Sequence, residues 1–201
     1  MTTRSLFASR FYEGELGDAA LLAELEGAAI DLSREDRAGR DWCRANGYPG
    51  YTSYASLNDL PARNPVFDDL RRALDRHVRR FAEEAYLDLQ GRRPKLDSLW
   101  VNVMKGAGGQ HSGHIHPHSI ISGTVYIAVP EGSAGLKLED PRLPMMMAAP
   151  LRREDAPEDA RTFVYAAPQA GSVFLWESWL RHEVPAGRAR EQRISISFNY
   201  R

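Results

Sequence analysis

Four of the protein's six histidines lie close together, between His111 and His118. His114, His116 and His118 are spaced two residues apart, and residues i and i+2 of an extended chain point to the same side. Two neighbouring imidazoles of this run could therefore bind one metal ion, since imidazole is a ligand for iron, copper, nickel and zinc. The pair is either His114 with His116 or His116 with His118. We favour the first, because Pro117 suits a turn that leaves the site.

A second candidate site lies near the C-terminus, where the segment RISISFNY predicts a strand with one polar and one apolar face. One interpretation is that the polar face of this strand is exposed to solvent. In a small barrel the same face lines the interior, where Arg193 and Ser195 could bind a carboxylate through the guanidinium fork and the hydroxyl. His182 precedes this strand. We expect two neighbouring antiparallel strands to bring it close to Arg193, as the remaining metal ligand.

The elements that must position these residues change character along the chain. Asp18 and the pair Asn64-Pro65 predict the starts of two helices with apolar stripes, the second running to about Gly91. A weak strand is expected within residues 5–12, and residues 33–61 look like an aromatic loop. From about residue 95 onwards, short strands alternate with Gly and Pro turns. This order predicts an α+β, mainly β fold: a jelly-roll or cupin-like barrel, with N-terminal helices bracing one of its sheets.

The length of 201 residues favours a single domain, with a helical part at about 13–91 and a barrel at about 95–201. The net charge of −1 argues against binding to nucleic acid or to an anionic membrane. Cys43 is alone, which excludes an intrachain disulfide. No run is apolar enough to span a bilayer, and the N-terminus lacks a signal-peptide pattern. A cytoplasmic protein is expected, and a homodimer is a reasonable prior.

The segments HIHPHSIISGTVYI, GLKLEDPR, GSVFLWESWLRHEVPAG and RISISFN, in this order, resemble a family of 2-oxoglutarate/Fe(II)-dependent oxygenases. The resemblance covers about residues 100–201 and implies a double-stranded β-helix that uses Fe(II) and 2-oxoglutarate. It implies His114 as the first metal ligand, His182 as the distal ligand, and Arg193 with Ser195 as the group that binds the C5 carboxylate of 2-oxoglutarate. The sequence departs from the family where His116 occupies the position of an Asp or Glu ligand. Either three histidines bind the metal, or His116 lies behind the ligands and water fills the position.

Further residues complete the predicted site. Tyr126 lies where such enzymes often present a hydroxyl to the co-substrate. Asn102 is also predicted to bind the co-substrate. Contacts with the substrate are predicted for Tyr51, Tyr54, His111 and Trp176.

The leading hypothesis is a non-haem Fe(II)- and 2-oxoglutarate-dependent dioxygenase. It would use O2 to hydroxylate an unidentified organic substrate, either a small molecule or an amino-acid or peptide group. The first alternative is a cupin-type dioxygenase with three histidine ligands and no 2-oxo acid. The second is a barrel without catalytic activity that binds a metal or a small molecule.

Overall fold

The computed structural model describes residues 2–201 and contains two antiparallel sheets and three α-helices. The helices are α1 (Ala19–Glu35), α2 (Arg37–Ala45) and α3 (Pro65–Glu84). The strands are β1 (Phe11–Glu15), β2 (Gly50–Thr52), β3 (Leu96–Met104), β4 (His111–His114), β5 (Ile121–Ala128), β6 (Leu136–Glu139), β7 (Phe163–Ala166), β8 (Ser172–Glu177), β9 (His182–Val184) and β10 (Arg193–Tyr200). The larger sheet has the order β1-β8-β5-β10-β3-β2, and the smaller sheet has the order β4-β9-β6-β7.

The chain passes back and forth between the two sheets from β5 onwards. Strands β5, β8 and β10 belong to the larger sheet, whereas β6, β7 and β9 belong to the smaller sheet. This winding is that of a double-stranded β-helix, which confirms the predicted fold class. It also corrects one expectation: His182 on β9 and Arg193 on β10 do not lie on neighbouring strands. The chain crosses between the sheets after β9, so the two residues lie on opposite sheets and line one cavity between them.

Both predicted helix starts are confirmed by side-chain caps. The Asp18 carboxylate accepts a hydrogen bond from the Leu21 amide at 2.9 Å, and the Asn64 side chain accepts one from the Val66 amide at 3.1 Å. Helix α3 ends at Glu84, earlier than predicted, because the chain takes a left-handed conformation at Tyr86 (φ 57°).

Two predictions for the N-terminal part need correction. The first strand lies at Phe11–Glu15, displaced from the expected residues 5–12. The expected loop at residues 33–61 contains helix α2 and strand β2. Helix α2 is hard to predict from the sequence, because it is short and polar on average and buries only Gly39 and Cys43. Its start is fixed by Asp36, which accepts a hydrogen bond from the Gly39 amide at 2.9 Å.

The hydrophobic core lies between the helices and one face of the larger sheet. Ile194, Ile196, Phe198 and Tyr200 of β10 are buried in it, together with the apolar stripe of α3. The polar residues that alternate with them on β10 therefore point to the other face, towards the smaller sheet. No helix within residues 2–201 is long and apolar enough to cross a membrane.

Candidate active site

Three histidines meet at one edge of the smaller sheet. His114 is the last residue of β4 and pairs in register with His182, the first residue of β9; His116 follows in the turn after β4. One ligand atom from each of the three lies within 4.8 Å of the others, a spacing at which they could hold a metal ion. His118 stays outside this group, because it is exposed and sits in a left-handed turn (φ 72°).

Backbone hydrogen bonds set the orientation of two of these rings. The Nδ1 atoms of His114 and His182 lie 2.7 Å from the Ser112 carbonyl oxygen and 2.9 Å from the Leu180 carbonyl oxygen. A carbonyl oxygen only accepts, so Nδ1 must carry the proton in each ring. The unprotonated Nε2 atoms are thereby left free to bind a metal.

Burial keeps His116 and His182 neutral. Loss of solvation lowers the pKa of His116 to about 4 and the pKa of His182 to about 3. Both rings are therefore unprotonated at neutral pH, and the unprotonated imidazole is the form that binds a metal.

A cavity of about 620 Å³ between the two sheets contains the three histidines in its wall. The remaining predicted site residues that line it are Asn102, His111, Tyr126, Trp176, Arg193 and Ser195, with Tyr54 near its mouth. The Trp176 ring packs 4.6 Å from the His182 ring, measured between centroids. Most of the predicted residues are thus brought to one cavity from six strands and two loops.

Arg193 is buried in this cavity without a counterion. Its side chain is 6% exposed, and no carboxylate within residues 2–201 forms an ion pair with it. The guanidinium lies 4.9 Å from the centre of the Tyr126 ring, and its Nη1 contacts the Met104 sulfur at 3.4 Å. The Arg193 Nε and the Tyr126 hydroxyl have no hydrogen-bond partner, although both are buried. An arrangement of this kind fits a carboxylate ligand, which would satisfy both groups.

Tyr51 does not reach the cavity, against the prediction. Neighbouring residues of a strand point to opposite faces, so Thr52 lines the cavity while Tyr51 points into the core. The Tyr51 hydroxyl donates a hydrogen bond to Asp36 at 2.8 Å, which ties β2 to the start of α2. Its role is therefore structural.

The predicted residue set missed several aromatic and polar residues of the wall. The Tyr48 hydroxyl bonds to the His111 Nε2 and lies 3.4 Å from the Asn102 side-chain oxygen. Trp100 packs 6.0 Å from the His116 ring. A signal for Trp100 existed, because it alternates with Asn102 in the strand sequence LWVNVM and so shares its face. Tyr48 had no signal from strand alternation, since it lies in the loop before β2, although the aromatic character of that loop is typical of a segment that covers a pocket.

Comparison with known proteins agrees with this geometry. The family model described as "Putative 2OG-Fe(II) oxygenase" matches residues 98–199, just over half of the chain. No curated protein sequence matches the chain.

Solved structures of low sequence identity share the fold. The epimerase SnoN, in complex with Fe3+, alpha-ketoglutarate and nogalamycin RO, is 14% identical with a TM-score of 0.66, covering 96% of this chain and 79% of its own. A Pseudomonas putida prolyl-4-hydroxylase is 14% identical with a TM-score of 0.60, covering 96% and 92%. HygX from Streptomyces hygroscopicus, with nickel and 2-oxoglutarate bound, is 14% identical with a TM-score of 0.57, covering 96% and 82%.

The family match spans the strands that carry His114, His182 and Arg193, and the double-stranded β-helix around them is the fold of these solved structures. The chain therefore belongs to the 2OG-Fe(II) oxygenase family, and it is an oxidoreductase that depends on Fe(II) and 2-oxoglutarate.

Proposed function

We propose that the protein hydroxylates a small molecule or an amino-acid or peptide group, with Fe(II) held by His114, His116 and His182. The observation that carries this proposal is the buried Arg193, which lacks a counterion and faces the same cavity as the three histidines. Fe(II) and 2-oxoglutarate, when bound, supply the oxidative chemistry: O2 is reduced, 2-oxoglutarate is decarboxylated to succinate, and one oxygen atom reaches the substrate.

Arg193 is proposed to bind the C5 carboxylate of 2-oxoglutarate. Ser195 lies two residues further along the same face of β10 and is buried, so its hydroxyl is available to the same carboxylate. The unpaired Tyr126 hydroxyl adds a third donor. Asn102 lies opposite Ser195 across the strand pair, and its amide is held by Thr52 at 2.9 Å and Ser197 at 3.1 Å. We propose that Asn102 stabilises this part of the cavity wall and forms a hydrogen bond with the co-substrate.

His116 is proposed as a true ligand, in place of the carboxylate expected from the family. Its distance from the other two rings supports this, as does its backbone amide, which donates to the Ser178 carbonyl at 3.0 Å and fixes the turn. A neutral imidazole in place of a carboxylate leaves the metal site one charge more positive. Arg193 is buried, and its low-dielectric surroundings strengthen the electrostatic attraction between its guanidinium and an anionic co-substrate.

Anaerobic titration with Fe(II) and then 2-oxoglutarate tests the proposal. The readout is the weak visible charge-transfer band that arises when 2-oxoglutarate binds to Fe(II). We expect the band in the wild type and not in His116→Ala, while the matched variant His118→Ala retains it because His118 is exposed. Succinate formation under air is the second readout. Loss of the band in His118→Ala but not in His116→Ala would show that His118, and not His116, is the third ligand. Iron binding without any band would favour a three-histidine dioxygenase that uses no 2-oxo acid.

We also propose a cytoplasmic protein that binds no nucleic acid, supported by the free, buried Cys43 and by the net charge of −1. A homodimer is proposed from the large apolar side chains of Met147 and Leu151, which are 93% and 98% exposed. Light scattering of the purified protein decides the oligomeric state.

A further inference from the structure

The metal ligands lie towards one end of the cavity. Strand β10 runs along the wall from Arg193 to Asn199, a length of about 20 Å at the usual rise per residue. The His116 ring packs against Trp100, which pairs with Ser197 in the register of β10 and β3. The His182 ring packs against Trp176, whose partner Ser122 pairs with Asn199 of β10. The metal ligands therefore lie towards the Asn199 end of the cavity. Since Arg193 is assigned to 2-oxoglutarate, the end around Asn199 is left for the substrate.

Two aromatic rings border this second end. The Trp100 and Tyr54 rings meet edge to face, with centroids 5.1 Å apart and an interplanar angle of 66°. Trp100 is buried, whereas Tyr54 is 53% exposed near the mouth of the cavity. Aromatic faces of this kind bind the apolar face of a ring-shaped ligand.

The buried polar groups at this end are neutral. They are the hydroxyl of Ser98 and the amide of Asn199, and the exposed amide of Asn58 lies at the same cavity. The Asn199 amide donates to Ser98 at 3.2 Å and accepts from Ser122 at 2.8 Å, so its orientation is fixed. One donor hydrogen and one acceptor lone pair of this amide remain available to a ligand.

Charged groups are scarce around the cavity. Among the lining residues in the described part of the chain, none is a lysine or glutamate, and the arginine and aspartate residues are Arg193 and Asp97. Asp97 lies at the exposed rim, and its carboxylate is paired with Arg201 at 3.0 Å. A charged substrate group placed against the buried Ser98 and Asn199 would lose its hydration without gaining a counterion, which is unfavourable.

We propose that the substrate is a neutral, hydroxylated ring compound of the sugar or cyclitol class. Its C–H face packs on Trp100 and Tyr54, and its hydroxyl groups bond to Asn58 and Asn199. Hydroxyl groups both donate and accept, which matches the fixed amide of Asn199. Free amino acids fit poorly, because they carry an ammonium and a carboxylate at once. This inference rests on the proposed function, since it presumes that Arg193 is engaged by 2-oxoglutarate.

Binding to the metal-free protein tests the inference independently of iron chemistry. Methyl glucoside, methyl galactoside and myo-inositol are titrated against glucuronate, glucose 6-phosphate and free amino acids, with intrinsic tryptophan fluorescence and calorimetry as readouts. We expect saturable binding of at least one neutral compound, and binding of its charged counterpart at least tenfold weaker. Tyr54→Leu should weaken the neutral ligand about three- to tenfold through the lost ring contact. The matched variant Tyr86→Leu should leave binding unchanged, because Tyr86 is 84% exposed and lies outside the cavity.

Turnover is measured separately, as succinate released from 2-oxoglutarate by the Fe(II)-loaded protein with and without each compound. We expect the neutral compound that binds to stimulate succinate release. Stimulation by amino acids or sugar acids instead would overturn the inference, as would binding of no neutral compound at all. Binding of a neutral sugar or cyclitol, without a charge-transfer band and without succinate release, would refute the proposed function. The inference about the class of ligand that the cavity binds would then still hold.

Discussion

Substitution of Arg193 by methionine should separate co-substrate binding from protein stability. The guanidinium is 6% exposed and its Nε has no partner, so a bound carboxylate would form a fully desolvated, charge-assisted pair with it. Truncating one side of such a pair costs about 2–5 kcal/mol. A middle value of about 3 kcal/mol corresponds to a Kd for 2-oxoglutarate raised on the order of 100-fold.

The free energy of unfolding should change much less. Methionine relieves the burial of a charge that has no counterion, but it also removes the contact of the guanidinium with the Tyr126 ring, worth about 0.5–2 kcal/mol. These two effects oppose each other, so we expect the stability of the metal-free variant to stay within about 1 kcal/mol of the wild type. An arginine held in an internal ion pair would behave differently, since its loss destabilises a protein by about 3–5 kcal/mol.

The assay is the anaerobic titration of Fe(II)-loaded protein with 2-oxoglutarate, followed in the visible range, together with urea unfolding of the metal-free protein. Arg190→Met is the matched control, because Arg190 is exposed and lies three residues before Arg193. We expect the control to resemble the wild type in both measurements. An unchanged Kd in Arg193→Met, or a loss of stability of about 3 kcal/mol with the Kd preserved, would refute the reasoning.

Three further predictions concern stability. The lowered pKa values of His116 and His182 mean that the unfolded chain binds protons below about pH 6.5 that the folded chain does not, so the metal-free protein should lose roughly 2 kcal/mol per histidine by pH 5. Urea unfolding at pH 7 and pH 5 measures this, and equal stability at both values would contradict it. Gly123→Ala should destabilise by about 1–3 kcal/mol, because a Cβ there would lie 2.5 Å from a Leu175 methyl carbon and 2.6 Å from the Phe174 carbonyl oxygen. Gly27→Ala, in an open position of α1, should instead stabilise by up to about 1 kcal/mol, and thermal unfolding compares the two. Tyr51→Phe should lower the free energy of unfolding by about 1–2 kcal/mol, because the hydrogen bond to Asp36 is lost, and it should leave the charge-transfer band unchanged. A weakened band would indicate that Tyr51 contributes to the active site.

The sequence by itself determined the local features of this protein. Caps at Asp18 and Asn64 marked the two long helices, because a side chain that accepts a backbone hydrogen bond acts within three residues. The alternation of β10 identified a polar face with Arg193 and an apolar face, because the period of a strand is a local property. The spacing of His114 and His116 indicated a metal site for the same reason. The prediction of a single domain over residues 1–201 stays a prediction.

Only the tertiary structure decided which of these faces meet. The sheet to which β9 belongs depends on strand pairings distant in sequence, so the sequence suggested neighbouring strands for His182 and Arg193 where the fold places them on opposite sheets. The same holds for Tyr48, whose contact with His111 joins residues far apart along the chain. Whether the polar face of β10 meets water or a cavity is likewise set by the smaller sheet packed over it. Local patterns report a residue's face, whereas the partner of that face is fixed by long-range packing.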